Sequence, residues 1–163
     1  MYKRQVRWYR IFSAAYERVP VFVKITKFQS LSSQQKRWLW SAYWRLWGVW
    51  WRIKLRQGAW LNSKLDLSDT VSRPVSPDAV QIAMKMHESV RLAARLHWLN
   101  LACLPKSIVL SDMLQELGVP ASVKLGVNKR DHQLASHAWV QVNDTLIGEP
   151  QHMKDQFTEI RNR

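Results

Sequence analysis

The sequence predicts an α+β protein: helices packed on a small antiparallel sheet, preceded by a helical extension rich in tryptophan. Three observations carry that expectation. Helical spacing of apolar residues dominates 32–57 and 79–117, alternating strand signals follow from residue 122, and charge divides the chain near residue 65. Residues 1–65 hold fourteen Lys/Arg against Glu17 alone, which accounts for the whole net charge of +13, whereas residues 66–163 hold eleven of each sign. Eight of the ten tryptophans also precede residue 66. The chain therefore reads as a basic, Trp-rich helical region over 1–61, a linker over 62–78 and a globular domain over 79–163.

A chain of 163 residues is long enough to bury a core without staples. Its single cysteine, Cys103, excludes an internal disulfide framework and any cysteine-rich zinc site, and suits a reducing, cytoplasmic compartment. Arg45, Arg52 and Lys54 interrupt the best candidate for a spanning helix, and no secretory signal is evident. The opening Met1-Tyr2-Lys3-Arg4-Gln5 resembles translated adapter sequence, so the natural N-terminus is expected elsewhere.

Residues 1–30 read as a helix broken near Pro20, then the β-branched run Val21–Ile25. From Ser32 to Gln57 the pattern is helical, with Ser32 and Ser33 as N-cap candidates. Arg45, Arg52 and Arg56 fall on one side with Ser41 and Gly48. Trp40, Trp44, Trp47 and Trp51 occupy one flank of the opposite surface, widened by Leu39, Tyr43, Leu46, Trp50 and Ile53. So broad an apolar arc should be covered on two sides. Three readings stay open: a core helix with a solvated arginine stripe, a docking surface for a protein or peptide, and a helix in peripheral contact with a membrane. Nucleic acid is not expected as a partner, for no helix-turn-helix spacing, zinc ligand set or RNA-recognition motif accompanies the basic residues.

Asp78 or Ser76 can cap a helix from about Ala79 to His97, with Val80, Ala83, Met84, Val90, Ala94 and His97 as its inward residues. A loop, Trp98–Ala102, leads to a second helix at Cys103, where Pro105 suits the first turn. Ile108, Val109, Met113, Leu114 and Leu117 supply its buried face, and Gly118 ends it. Ser122–Val127 alternates as a strand, Asn128–Gln133 reads as a polar loop, His137–Val142 alternates again, and Asn143-Asp144 turns into Thr145–Gly148.

This order sets Cys103 at a helix N-terminus and His137 on a following strand. Unpaired N–H groups and the helix dipole favour a thiolate there, an imidazole nearby lowers the thiol pKa further, and a carboxylate can fix the ring. Glu149 is the candidate carboxylate; Asp144, in the turn, is the spare. His87, His97, His132 and His152 lack zinc-ligand spacing and read as surface or packing residues, so no metal or cofactor is expected.

Four ordered blocks add to this: Cys103-Leu104-Pro105-Lys106-Ser107, Leu117-Gly118-Val119-Pro120-Ala121, Leu125-Gly126-Val127 and His137-Ala138-Trp139-Val140. Together they resemble the transglutaminase-like, papain-type domain of lasso-peptide maturation protein B, which includes the C-terminal domain of the microcin J25-processing protein. The likeness is to the stand-alone leader-peptidase form and spans residues 79–160. It implies a nucleophile at Cys103, a base at His137 and an orienting acid at Glu149, where the family usually has Asp. Gln141 stands where the family commonly has Glu, and Ser136 where it has Ala. The resemblance also implies a lasso precursor peptide as substrate, a separate leader-recognition protein, and an ATP-dependent macrolactam synthetase alongside. The N–H of Cys103 and a donor from Trp98–Ala102, with Asn100 adding a side-chain amide, are the expected oxyanion site.

Overall fold

The computed structural model describes residues 31–55, 58–65, 76–130 and 133–160. The expected helix and β-branched run over 1–30, Arg56 and His132 lie outside them. The described residues from Ser33 onward form one compact unit.

The first helix, α1 (Ser33–Lys54), turns Leu39, Ala42, Leu46 and Val49 inward against the rest of the unit. These are its smaller apolar side chains, recurring at three- and four-residue spacing, which lets the helices Pro77–Leu96 and Cys103–Glu116 approach closely. A short helix, α2 (Gly58–Lys64), follows and is tied back by Lys64 Nζ to Asp112 Oδ1 at 2.8 Å. The stretch expected as a linker thus contributes residues 62–64 to α2 and 77–78 to α3, while 66–75 fall outside the described residues.

Helix α3 (Pro77–Leu96) starts at Ser76, whose hydroxyl accepts from the Ala79 N–H at 3.3 Å, so Ser76 and not Asp78 is the cap. Pro77 occupies a first-turn position whose N–H would have no helical partner. Its buried face is Ala83, Met86, Ser89, Val90 and Ala93. Met84, expected inside, is exposed: the inward face is rotated toward Met86 and Ala93, which meet α1 and α4.

Helix α4 (Cys103–Glu116) is the centre of the unit, packed on α1 and α3 on one side and on the sheet on the other. Ile108, Val109, Leu110, Met113 and Leu114 are buried. Each such side chain stabilises the fold by roughly 1.5–3 kcal/mol. Leu117, expected inside, is the C-cap and half exposed. Gly118 at φ 76 closes the helix in a Schellman motif, with Val119 N–H to Leu114 O at 3.0 Å and Gly118 N–H to Gln115 O at 2.9 Å.

The sheet is antiparallel throughout, in the order β3-β2-β1-β4: β1 (Ala121–Arg130), β2 (Gln133–Val142), β3 (Thr145–Ile147) and β4 (Thr158–Glu159). The loop expected over 128–133 is mostly ladder. Asn128 pairs with Ala135, Lys129 with Leu134 and Arg130 with Gln133, because backbone bonds carry the hairpin beyond the point where apolar alternation stops. A one-turn helix, α5 (Met153–Gln156), and β4 were not expected. β4 pairs with Gly126 and Val127, and Lys124 Nζ reaches Glu159 Oε1 at 3.1 Å from a nearly buried position. The architecture is α+β, helices on a small antiparallel sheet.

Candidate active site

The helical repeat places Cys103, Ser107, Ser111 and Gln115 in one row at four-residue spacing, and the row faces the strands. Ser107 Oγ donates to Ala138 O at 3.0 Å, Ser111 Oγ to Ala121 O at 3.1 Å, and Gln115 Nε2 to the same Ala121 carbonyl at 2.8 Å. Two buried serines and the more exposed Gln115 are thereby satisfied, and α4 is registered against β1 and β2. Cys103 heads that row. Its sulfur accepts from the Ala138 N–H and from the His137 ring. β3 stops at Ile147, opposite Val140, which leaves this end of β2 to the thiol.

His137 Nε2 lies 3.2 Å from Glu149 Oε1, and the same ring also interacts with the Cys103 side chain. Trp139 and Phe157 flank the ring, with centroids 6.2 and 5.7 Å away. Gly126, paired directly with His137, makes room for this cluster: a Cβ there would come within 2.7 Å of Phe157 Cβ and 2.8 Å of the Trp139 ring. Glu149 follows Gly148, whose φ of 76 turns the chain back toward His137. A Cβ on Gly148 would strike the His87 ring at 1.7 Å.

Electrostatics follow from this grouping. Hydrogen bonds to Cys103 and then to Glu149 push His137 up to about 9, against the opposing effect of burial. Burial alone would raise the Cys103 thiol. The His137 and Ala138 hydrogen bonds, with the charges of His137 and Lys106, outweigh it and leave the thiol below its ordinary value. The His137 hydrogen bond likewise holds the Glu149 carboxyl below the usual range, although burial acts the other way. All three shifts favour a thiolate–imidazolium–carboxylate array.

Of the residues singled out in the sequence, Cys103, His137 and Glu149 therefore meet. Asp144 sits at the β2–β3 turn beside Asn143, which has φ 50, and Glu149 is the carboxylate bonded to His137. Asn100 is exposed on the loop before α4. Ala102 caps α4 with no side-chain hydrogen bond, so the first-turn N–H groups of α4 keep no side-chain acceptor from the cap. Gln141 Nε2 donates to the Asn143 carbonyl, at the far end of β2 from His137, and Ser136 is exposed.

Residues not singled out also shape the site. Ser107 fixes the strand that carries His137; its only signal is its place one turn after Cys103. Lys106 adds positive charge near Cys103 and Glu149. His87, from α3, packs against Gly148; burial, then the Arg91 charge, keeps its pKa below the ordinary value. His97 stacks on Tyr43 at 3.9 Å.

The arrangement suits attack by a thiolate on an acyl carbon, with His137 moving the proton. Comparison with known proteins agrees in kind. No curated protein matches the chain, nor does any solved structure. A family model described as transglutaminase-like superfamily matches residues 45–162. The match runs from within α1 through β4 and includes Cys103, His137 and Glu149. This chain therefore belongs to the transglutaminase-like superfamily, with its papain-like, cysteine-protease type of fold.

Proposed function

We propose that the protein is a cysteine peptidase that removes the leader from a lasso-peptide precursor. The carrying observation is the contact chain Cys103–His137–Glu149 at the head of α4. The four sequence blocks that resemble lasso-peptide maturation protein B direct the choice of substrate. In the reaction, the Cys103 thiolate attacks the carbonyl carbon at the leader–core junction. First-turn N–H groups of α4 receive the developing oxyanion. His137 gives its proton to the departing amine as the C–N bond breaks, leaving a thioester on the leader. Water then attacks, His137 takes its proton, the C–S bond breaks, and the leader leaves as a free carboxylate. Glu149 holds the ring throughout and stabilises its charged form. Peptide choice is assigned to a separate leader-recognition protein, with an ATP-dependent macrolactam synthetase taking the freed core.

The test is precursor processing followed by mass, with the precursor and recognition protein from the same gene neighbourhood. Wild-type protein should yield a leader ending in a free carboxylate, and Cys103→Ala should lower the rate by about 10⁴-fold. A leader carrying an added amine would mark an acyltransferase. Unchanged processing by Cys103→Ala would mark a scaffold that keeps the fold without the chemistry.

A further inference from the structure

Helix α1 has an outward face that packing does not explain. Trp40, Trp44, Trp47 and Trp51 are 53, 64, 43 and 43 % exposed. At 100° per residue they form one stripe opposite the buried Leu39, Ala42, Leu46 and Val49. Leu55, 63 % exposed, continues it past the helix end. From Trp40 to Trp51 the stripe runs about 16 Å along the helix. The helix contains no acidic residue, and exposed Arg37, Arg52 and Lys54 flank the tryptophans. The surface continues toward the active site. Tyr43 meets Trp40 and Trp44 edge-on, stacks on His97 and accepts through its carbonyl from His97 Nε2 at 2.7 Å. The next residue, Trp98, is 86 % exposed and opens the loop that leads to Cys103.

We infer that this face seats the protein on an anionic lipid surface, with α1 lying in the headgroup region. Four indoles side by side give a convex ridge, each with an apolar body and one N–H donor, and the boundary between headgroups and acyl chains satisfies both parts. The flanking cations complement lipid phosphates. No helix among the described residues is long and apolar enough to cross a membrane, and the inferred seat is α1 lying along the surface. Residues 1–30 carry seven Lys/Arg and only Glu17, so they bring no charge complementary to that of α1. Seating by α1 and Trp98 would hold the Cys103 end of α4 close to the membrane. This inference does not depend on the peptidase reading.

The experiment is co-sedimentation of the full chain with vesicles of phosphatidylcholine, alone or mixed with phosphatidylglycerol, with bromine-labelled lipids to quench tryptophan. The expected result is preferential binding to the anionic vesicles, with quenching strongest for bromine at shallow acyl positions. The double variant Trp44→Ser/Trp51→Ser should lose roughly tenfold in partitioning. It should keep the wild-type circular dichroism and melting temperature, because both side chains are exposed. Arg37→Glu/Lys54→Glu should weaken the preference for anionic lipid. Full binding by the tryptophan variant would overturn the proposal, since the basic residues 1–30 remain present in it. So would failure of the wild type to bind either vesicle. Protection of the tryptophans by an acidic peptide without vesicle binding would also overturn it, in favour of a peptide surface.

Discussion

Helices α1 and α4 pack against each other yet use their side chains in opposite ways. α4 buries eight of its fourteen residues, including two serines, and those serines bond strand carbonyls. α1 buries four of its twenty-two and leaves four of its six tryptophans in solvent. The difference follows from layer position. α4 is enclosed by helices and sheet, so a polar group there must find a partner or cost about 1–3 kcal/mol. α1 is an outer layer, where four exposed indoles contribute little to folding and suit the proposed lipid contact. Buried polarity marks the first helix of the site; exposed apolarity marks the surface.

The largest effect that would sharpen this contrast belongs at the α4 end. Glu149→Gln should reduce turnover on the order of 10²-fold, because the imidazolium loses a charged partner. It should also move the alkaline limb of the pH profile. Activity needs Cys103 ionised and His137 protonated, so wild-type rate should fall as pH rises through about 9. Glu149 is one of the two hydrogen-bonding groups that raise His137, so the variant's alkaline limb should fall at lower pH. The stability sign agrees. A raised His pKa stabilises the fold below the unfolded value of 6.5, and that contribution disappears as pH climbs through about 9. An unmoved alkaline limb in Glu149→Gln would show that the carboxylate does not act through the ring.

Next in size is a change on the inner face of α1. Leu46 is fully buried, and Leu46→Ala should cost about 3 kcal/mol in denaturant unfolding. Trp44→Ala, two residues away on the outer face, should stay within about 0.5 kcal/mol. If the two variants destabilised equally, the division of α1 into a packing face and a contact face would collapse.

These faces also show what the sequence carried. Helical spacing and the Ser76, Pro105 and Gly118 punctuation placed α3 and α4 to within a few residues, because those signals are local. Cys103, His137 and Glu149 were readable through helix start and strand order only together with the resemblance carried by the four sequence blocks. The α1 orientation was not. Periodicity grouped Leu39 and Leu46 with the tryptophans in one broad apolar arc to be covered by the protein, a partner or lipid, whereas close packing selected Leu39, Ala42, Leu46 and Val49 and left Trp40, Trp44, Trp47 and Trp51 exposed. β4 escaped for a different reason: a two-residue strand has no period of its own and exists through its pairing with Gly126 and Val127. Ser107 escaped because a serine within a helix reads as surface until a strand carbonyl is seen opposite it.

Ser107→Ala comes third, at about 1 kcal/mol, since it leaves the buried Ala138 carbonyl without the hydroxyl. A structural role alone would lower stability and nothing else. Because Ala138 also donates to the Cys103 sulfur, the variant should raise the pH at which iodoacetamide alkylates the thiol. Melting loss without that shift would separate the serine from the site.

The smallest effect should come from the Arg45–Glu116 pair, which joins α1 to the end of α4 at 2.6 and 2.9 Å. Its geometry is two-pronged, but the side chains are 37 and 59 % exposed, so water and salt screen most of the attraction. Glu116→Gln should cost about 0.5 kcal/mol at low salt and less as salt is added. The Arg45 hydrogen bond, then its charge, holds the Glu116 carboxyl below its ordinary 4.5 despite some burial. Its contribution is therefore present above pH 4.5 and is lost as pH falls through the lowered value. Wild type and variant should converge in stability at acid pH. A cost that approached that of Leu46→Ala would mean that charge, and not the inner apolar face, holds α1 on the domain.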